Sequence, residues 1–233
     1  MQKDGKEKSV SPFRIFLGWI FLGVFVASIF LCAGRWDWIA GWNFIGVVTC
    51  GQVLNVLYLR KKNPEVLRGR SRIGKGTKPW DKVWLFLFMV FYMAIIYVAA
   101  FDFGRSGIFG MPLGCFWAGM GFYVVFLVLM TWAMAENPHF EKTVRIQHDR
   151  NHRVIDTGPY RFVRHPGYVC VILGYFFSAP LMLGSWRAFV PAGLSALWMV
   201  VRTALEDQTL RRELDGYEEY AQRVKYRLLP CIW

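Results

Sequence analysis

VWLFLFMVFYMAIIYVAAFDF, residues 83–103, carries one charged side chain, Asp102, beside its end. An α-helix rises about 1.5 Å per residue, so about 20 apolar residues cover the hydrocarbon core of a bilayer. A stretch of this length and composition is a membrane span. Blocks of the same kind lie at 13–34, 38–59 and 112–135. A fifth apolar region, 168–204, is interrupted only near Ser185-Trp186-Arg187. It reads as two shorter spans, 168–183 and 188–204, or as one helical hairpin, because Pro180 and Gly184 break a single helix there. The expected fold is an all-α, polytopic transmembrane bundle. It has five to six membrane helices including the C-terminal hairpin, followed by a cytosolic amphipathic helix.

Composition supports this reading. The chain is 55% hydrophobic and only 19% charged, whereas soluble domains are about 45–50% apolar. A net charge of +12 raises the question of nucleic acid. Of 28 Lys and Arg residues, however, only Arg35, Arg105 and Arg187 fall in loops on one side of the expected topology. The rest lie on the other side, which the positive-inside rule makes cytosolic together with both termini. The basic excess is therefore topological first and attracted to anionic headgroups second. No basic, aromatic-interleaved soluble module is present to carry nucleic acid. Five isolated cysteines form no C-x-x-C pair, so no zinc site or disulfide framework is expected, and they read as small buried hydrophobes. The first apolar run is too long for a signal sequence, and Cys231 sits one residue short of a prenylation box.

Residues 1–135 read as a short basic tail, 1–12, followed by the N-terminal spans, and residues 136–233 as the region that carries the chemistry. Trp36 and Trp38, between the first two spans, suit a membrane interface. The basic linker 60–82 reads as an inside loop, since Gly74-Lys75-Gly76 lacks the strand and the G-K-[ST] of a phosphate loop. Gly119-Met120-Gly121 lies inside a span and suits close helix packing. Residues 136–167 are polar and hold all four histidines, at 139, 148, 152 and 165. Residues 205–230 are polar again and read as a helix, with Leu205, Leu210, Leu214, Tyr217 and Tyr220 at roughly helical spacing. Both segments flank the 168–204 region and meet at its cytosolic base, where chemistry is expected.

Four features stand out there. The run Gly158-Pro159-Tyr160-Arg161-Phe162-Val163-Arg164-His165-Pro166-Gly167-Tyr168 turns and then opens a span at Pro166. Free amides in the first turn of that helix can receive an anion; an interfacial turn with snorkelling Arg and Tyr is the plainer reading. Arg202 and Glu206, four apart near the end of a membrane helix, share one face, with Asp207 adjoining, as functional groups or as a surface pair. The histidine spacings fit no zinc signature, so no metal is expected. The segment with Tyr217, Tyr220 and Arg223 suits a surface helix or a lid.

Taken in order, these pieces resemble the isoprenylcysteine carboxyl methyltransferase and phospholipid methyltransferase superfamily over about residues 136–230. The most specific part is Arg164-His165-Pro166-Gly167-Tyr168, followed by the acidic pair, Tyr217-x-x-Tyr220, Arg223 and Pro230. The resemblance implies a cytosol-facing pocket for S-adenosyl-L-methionine. It assigns cofactor contacts to Gln147, His152, Arg153, Val154, Ile155, Tyr160, His165, Pro166, Gly167, Tyr168, Glu206 and Asp207, and an arginine facing the substrate to Arg202. Where the family commonly has two glutamates, this chain has Glu206-Asp207. Methyl transfer needs alignment and exclusion of water rather than a metal. A carboxylate such as Glu206 suits the cofactor's ammonium or ribose hydroxyls. An arginine suits an anionic acceptor by a bidentate pair, which favours O-methylation of a carboxylate over phospholipid N-methylation.

The expected partners are a lipophilic small molecule or lipid as acceptor, and the bilayer itself. A prokaryotic plasma membrane is favoured over endoplasmic reticulum, and the oligomeric state is left open. Two other classes remain: a sterol-type reductase using NADPH, which usually has more spans, and a non-catalytic scaffold or small transporter.

Overall fold

The structure, a computed structural model, describes residues 12–70 and 73–233. The expected tail at 1–12 therefore falls, apart from Pro12, outside the described residues. In order along the chain come α1 (Pro12–Ala33), α2 (Ile39–Lys62), α3 (Pro64–Arg70), α4 (Pro79–Ser106) and α5 (Leu113–Glu136). Then follow α6 (Pro166–Val171), a π-helical segment (Ile172–Phe177), α7 (Ser178–Leu183), α8 (Phe189–Glu213) and α9 (Tyr217–Arg223). Among the described residues six segments are long and apolar enough to cross a membrane: Phe16–Ala33, Ile39–Lys62, Pro79–Ser106, Leu113–Glu136, Pro166–Leu183 and Phe189–Glu213. The protein is a polytopic helical membrane bundle, without strands among the described residues.

The 168–204 region resolves into two long helices. Pro180 does not end the first of them. The π-helical turn sits immediately before it, where the proline has withdrawn a donor from the hydrogen-bond ladder. The break comes instead at Gly184, which adopts φ 72°, a left-handed conformation open to glycine at little cost. The second helix corrects an expected boundary. The span does not stop near 204 before a separate polar helix, because α8 continues unbroken to Glu213. Its last turns carry the polar residues, and the chain turns only at Gly216, φ 77°, before α9.

Helices pack through close approach at glycine. A Cβ on Gly119 would stand 2.8 Å from Leu181, so α5 and α7 meet there as the Gly119-Met120-Gly121 motif suggests, though Gly121 faces open space. Gly51 of α2 likewise receives the ring of Tyr123, and Gly174 of the π turn that of Phe126. α4 packs between α1 and α8, and α5 lies against α6, α7 and α2. Without a hydrophobic force between helices in lipid, such dispersion contacts and a few interhelical hydrogen bonds hold the bundle. Asn55 Nδ2 donates to Thr131 at 2.6 Å, and Gln52 to Tyr175 at 2.8 Å.

Two expectations shift. Trp38 is not an interfacial anchor: it is buried, stacked on Phe103 at 5.4 Å, and its ring fills the space over Gly41. Of the five cysteines only Cys170 is buried, and Cys32, Cys50 and Cys231 are exposed. On the outer surface of a membrane bundle a small apolar residue loses nothing by facing out.

Candidate active site

At one end of the bundle, α8 carries Arg202, Glu206 and Leu210 at intervals of four, so they lie along one face. The Arg164–Tyr168 turn, the loop 137–155 and α9 pack around that face. Between them is a polar cavity of about 110 Å³. Its walls include Gln147, His152, Arg153, Val154, Ile155, Tyr160, His165, Pro166, Gly167, Tyr168 and Glu206. Eleven of the twelve cofactor contacts expected from the sequence are thus brought to one cavity. The twelfth, Asp207, is not on its wall.

Glu206 points into this cavity. The hydroxyl of Tyr168 donates to its carboxylate, and His165 Nδ1 lies 3.9 Å away. The ring of His165 stacks nearly parallel on Tyr168, 5.6 Å between centroids. Asp207, the next residue, turns the other way and is completely buried. Its oxygens accept from Arg164 at 2.7 and 3.1 Å, Arg227 at 2.9 Å, Arg211 at 3.2 Å and Tyr217 at 3.1 Å. His165 Nε2 lies 3.3 Å from it. One carboxylate thus ties the turn, α8, α9 and the chain after α9 together. The short Asp side chain fits this enclosed position.

The loop wall is built around Gln147, 2% exposed. Its Nε2 donates to the His139 carbonyl at 2.7 Å, and its Oε1 accepts from Arg150 at 3.0 Å. Its own amide donates to His152 Nδ1 at 3.3 Å. His139 and His152 face each other at 4.6 Å. Burial pushes the His152 imidazole down to about 4, with His139 beside it acting in the same direction. His139 is lowered too, by burial against the Gln147 hydrogen bond. Both of these rings are thereby held toward their neutral form. Burial raises the Tyr160 and Tyr217 phenols, keeping them protonated donors. Tyr220 donates to the Tyr160 carbonyl at 2.7 Å, which closes α9 over the turn and gives that helix the role of a wall.

The amides near His165 differ from expectation. Those of Arg164 and His165 already donate to the carbonyls of Tyr226 and Arg227, at 2.9 and 3.0 Å. They serve to dock the chain after α9.

Arg202 lies elsewhere. It is buried and makes a forked pair with Asp81 of α4, Nε to Oδ1 at 2.8 Å and Nη2 to Oδ2 at 3.3 Å. Nη2 also donates to the Lys142 carbonyl at 2.8 Å. Its guanidinium sits over the rings of Trp84 and Tyr168, at 4.2 and 5.1 Å. Asp81 completes its own set by accepting from the Val144 amide at 2.7 Å. Arg202 borders a second cavity, of about 710 Å³, lined largely by apolar and aromatic side chains of α2, α4 and α5. The two cavities share Phe140, Glu141, Gly167 and Tyr168.

Asp81 was not anticipated, although the signal was there: a buried arginine at membrane depth requires a carboxylate, and Asp81 stands beside the start of the 83–103 span. His139, Leu210 and Leu214 also line the polar cavity. Among the described residues no cluster of His, Cys, Asp and Glu suits a metal ion. No curated protein matches the chain. Residues 119–212 match the model of the Isoprenylcysteine carboxyl methyltransferase (ICMT) family, a stretch that includes the wall shared by both cavities.

Proposed function

We propose that the protein is an S-adenosyl-L-methionine-dependent methyltransferase that modifies a lipophilic acceptor, with O-methylation of a carboxylate favoured over phospholipid N-methylation. The observation that supports this most is the adjacency of the two cavities. One is polar and lies among the loops at one end of the bundle; the other is apolar and lies among the spans. A charged cofactor and a lipophilic acceptor need different surroundings, and here they meet at one short wall.

The residues of the polar cavity fit the cofactor by their chemistry. Glu206 is an acceptor for its ammonium or ribose hydroxyls, and Val154, Ile155 and Leu210 offer an apolar surface for an adenine face. The cofactor, when bound, supplies an electrophilic methyl group on a sulfonium. The chain's own work is to position and to keep water out. Tyr168 holds Glu206 in place, and Phe140 and Tyr168 line both cavities. No side chain on this wall need form a covalent bond.

The multi-pass architecture suits an acceptor that enters from the bilayer. The expected topology puts both termini and the cavity in the cytosol, and the prokaryotic plasma membrane is the proposed location. Thermal shift of the purified protein tests the reading. S-adenosyl-L-methionine and its demethylated product should raise the melting temperature by mass action, while NADPH should not. Stabilisation by NADPH alone would favour the sterol-type reductase, and no shift with any of the three would end the proposal.

A further inference from the structure

The apolar cavity has an uneven charge at its cytosolic mouth. Four charged residues border it: Arg70, Glu141, Lys142 and Arg202. Two are already neutralised. Both oxygens of Glu141 accept from Arg145 at 2.8 Å, and Arg202 is forked onto Asp81. Arg70 and Lys142 have no ion pair among the described residues. Arg70 ends α3 and rests its guanidinium over the Phe140 ring at 5.2 Å. It therefore stands against the ring that separates the two cavities.

Resting on the methyltransferase reading, we propose that Arg70, assisted by Lys142, binds the anionic group of the acceptor, while Arg202 positions the wall through Asp81. The acceptor class is a long apolar chain ending in one anion, carboxylate or phosphate. Two cations held near each other at a partly desolvated mouth repel. Burial lowers Lys142, and the neighbouring Arg70 charge lowers it further. An entering anion relieves that repulsion and meets charge-assisted donors, which in such surroundings bind more strongly than neutral ones. The chain of the ligand then lies along Trp84, Phe88 and Met130, and its head beside Phe140, next to the polar cavity.

Equilibrium dialysis in neutral detergent at alkaline pH tests this with three probes of one chain length: hexadecanoic acid, hexadecyl phosphate and hexadecan-1-ol. The acid, the phosphate or both should bind wild type about tenfold or more tighter than the alcohol. Which anion gains more assigns the headgroup. Arg70→Gln should bring the ratio close to one and leave alcohol binding unchanged. Arg70→Lys should retain part of it, and Lys142→Gln should lower it. Equal binding of all three probes to wild type overturns the proposal, as does an anion preference that survives the Arg70→Gln, Lys142→Gln double variant. Should Arg70→Gln fail to fold, the wild-type ratio and its weakening by salt decide the matter. Arg70 does not line the polar cavity, so cofactor-induced stabilisation of Arg70→Gln should match wild type. Absence of that stabilisation from both proteins would remove the methyltransferase reading, and the anion preference would still be judged by its own ratio.

Discussion

Asp81 and Arg202, 121 residues apart in sequence, form a buried forked ion pair that joins the start of α4 to the last turns of the α8 span. Removing one partner of such a pair leaves a charge without compensation, which typically costs about 3–5 kcal/mol. Asp81→Asn should therefore lower the melting temperature of the detergent-solubilised protein markedly. Arg202→Lys should do so to a smaller extent, because the ammonium keeps the charge but loses the fork. The double variant Asp81→Asn, Arg202→Met should be more stable than Asp81→Asn alone. If Arg202→Lys abolished methyl transfer with no loss of stability or change in Asp81 coupling, Arg202 would contact the acceptor directly.

Glu206 and its neighbour should separate cleanly. Glu206→Gln keeps the shape and removes the charge, so cofactor affinity should fall by about 1.5–3 kcal/mol, roughly 10- to 150-fold, with the melting temperature near wild type. Asp207→Asn removes the centre of the Arg164, Arg211 and Arg227 cluster. It should destabilise the protein before any ligand is added. Calorimetry and melting on the two variants check the contrast, and equal effects on both quantities would contradict it.

Gly167 should be intolerant of a side chain. A Cβ there would lie 2.5 Å from the Phe140 ring, closer than real Cβ contacts come, so the ring must move within the wall common to the two cavities. Gly167→Ala should reduce the transfer rate at least about tenfold, as misplacements of an ångström often do. Adding Phe140→Leu should recover part of the rate. Initial rates with saturating cofactor measure it.

The paired histidines set an acid limit. His152 is held at about 4 in the folded protein against an ordinary 6.5. Between those values the unfolded chain binds a proton that the folded one does not, so stability falls as pH drops through the window. Protonation also cancels the Nδ1 acceptor that the Gln147 amide uses. Melting curves from pH 7 to 4 should show this loss, and His152→Asn, which keeps an acceptor oxygen, should flatten it.

Orientation is open to a direct test. Single cysteines replacing Ser106 and Lys75, in a background cleared of native cysteines, should label from outside and inside the cell respectively. External labelling at position 75 would invert the topology and move both cavities' polar face out of the cytosol.

Much of this molecule was legible in its residues. The spans follow from apolar block length alone, whereas the residues between 147 and 206 that line the polar cavity were named by the family resemblance and not by their own spacing. Pairings across the chain were not legible. An arginine at membrane depth asks for a carboxylate, but nothing near Asp81 in sequence singles it out, and the same spacing that put Arg202 and Glu206 on one face suggested a pair between them that the structure replaces with Asp81. Glu206 and Asp207 look alike in sequence, yet adjacent helix positions point about 100° apart, which sends one to the cavity and the other to the arginine cluster. The unbroken length of α8 was hidden because its polar end changes the solvent it meets, not its helical continuity.

The separation of Asp81 from Arg202 also has a meaning in time. A ribosome adds about 5–20 residues per second, so the Asp81 carboxylate waits on the order of ten seconds before its counter-ion is made. During that interval α4 holds Asp81 before the arginine that it pairs with in the folded structure exists. A chain halted before α8 lacks the residue onto which Asp81 is forked in the finished structure, so the junction between α4 and α8 is the last of these contacts to be made.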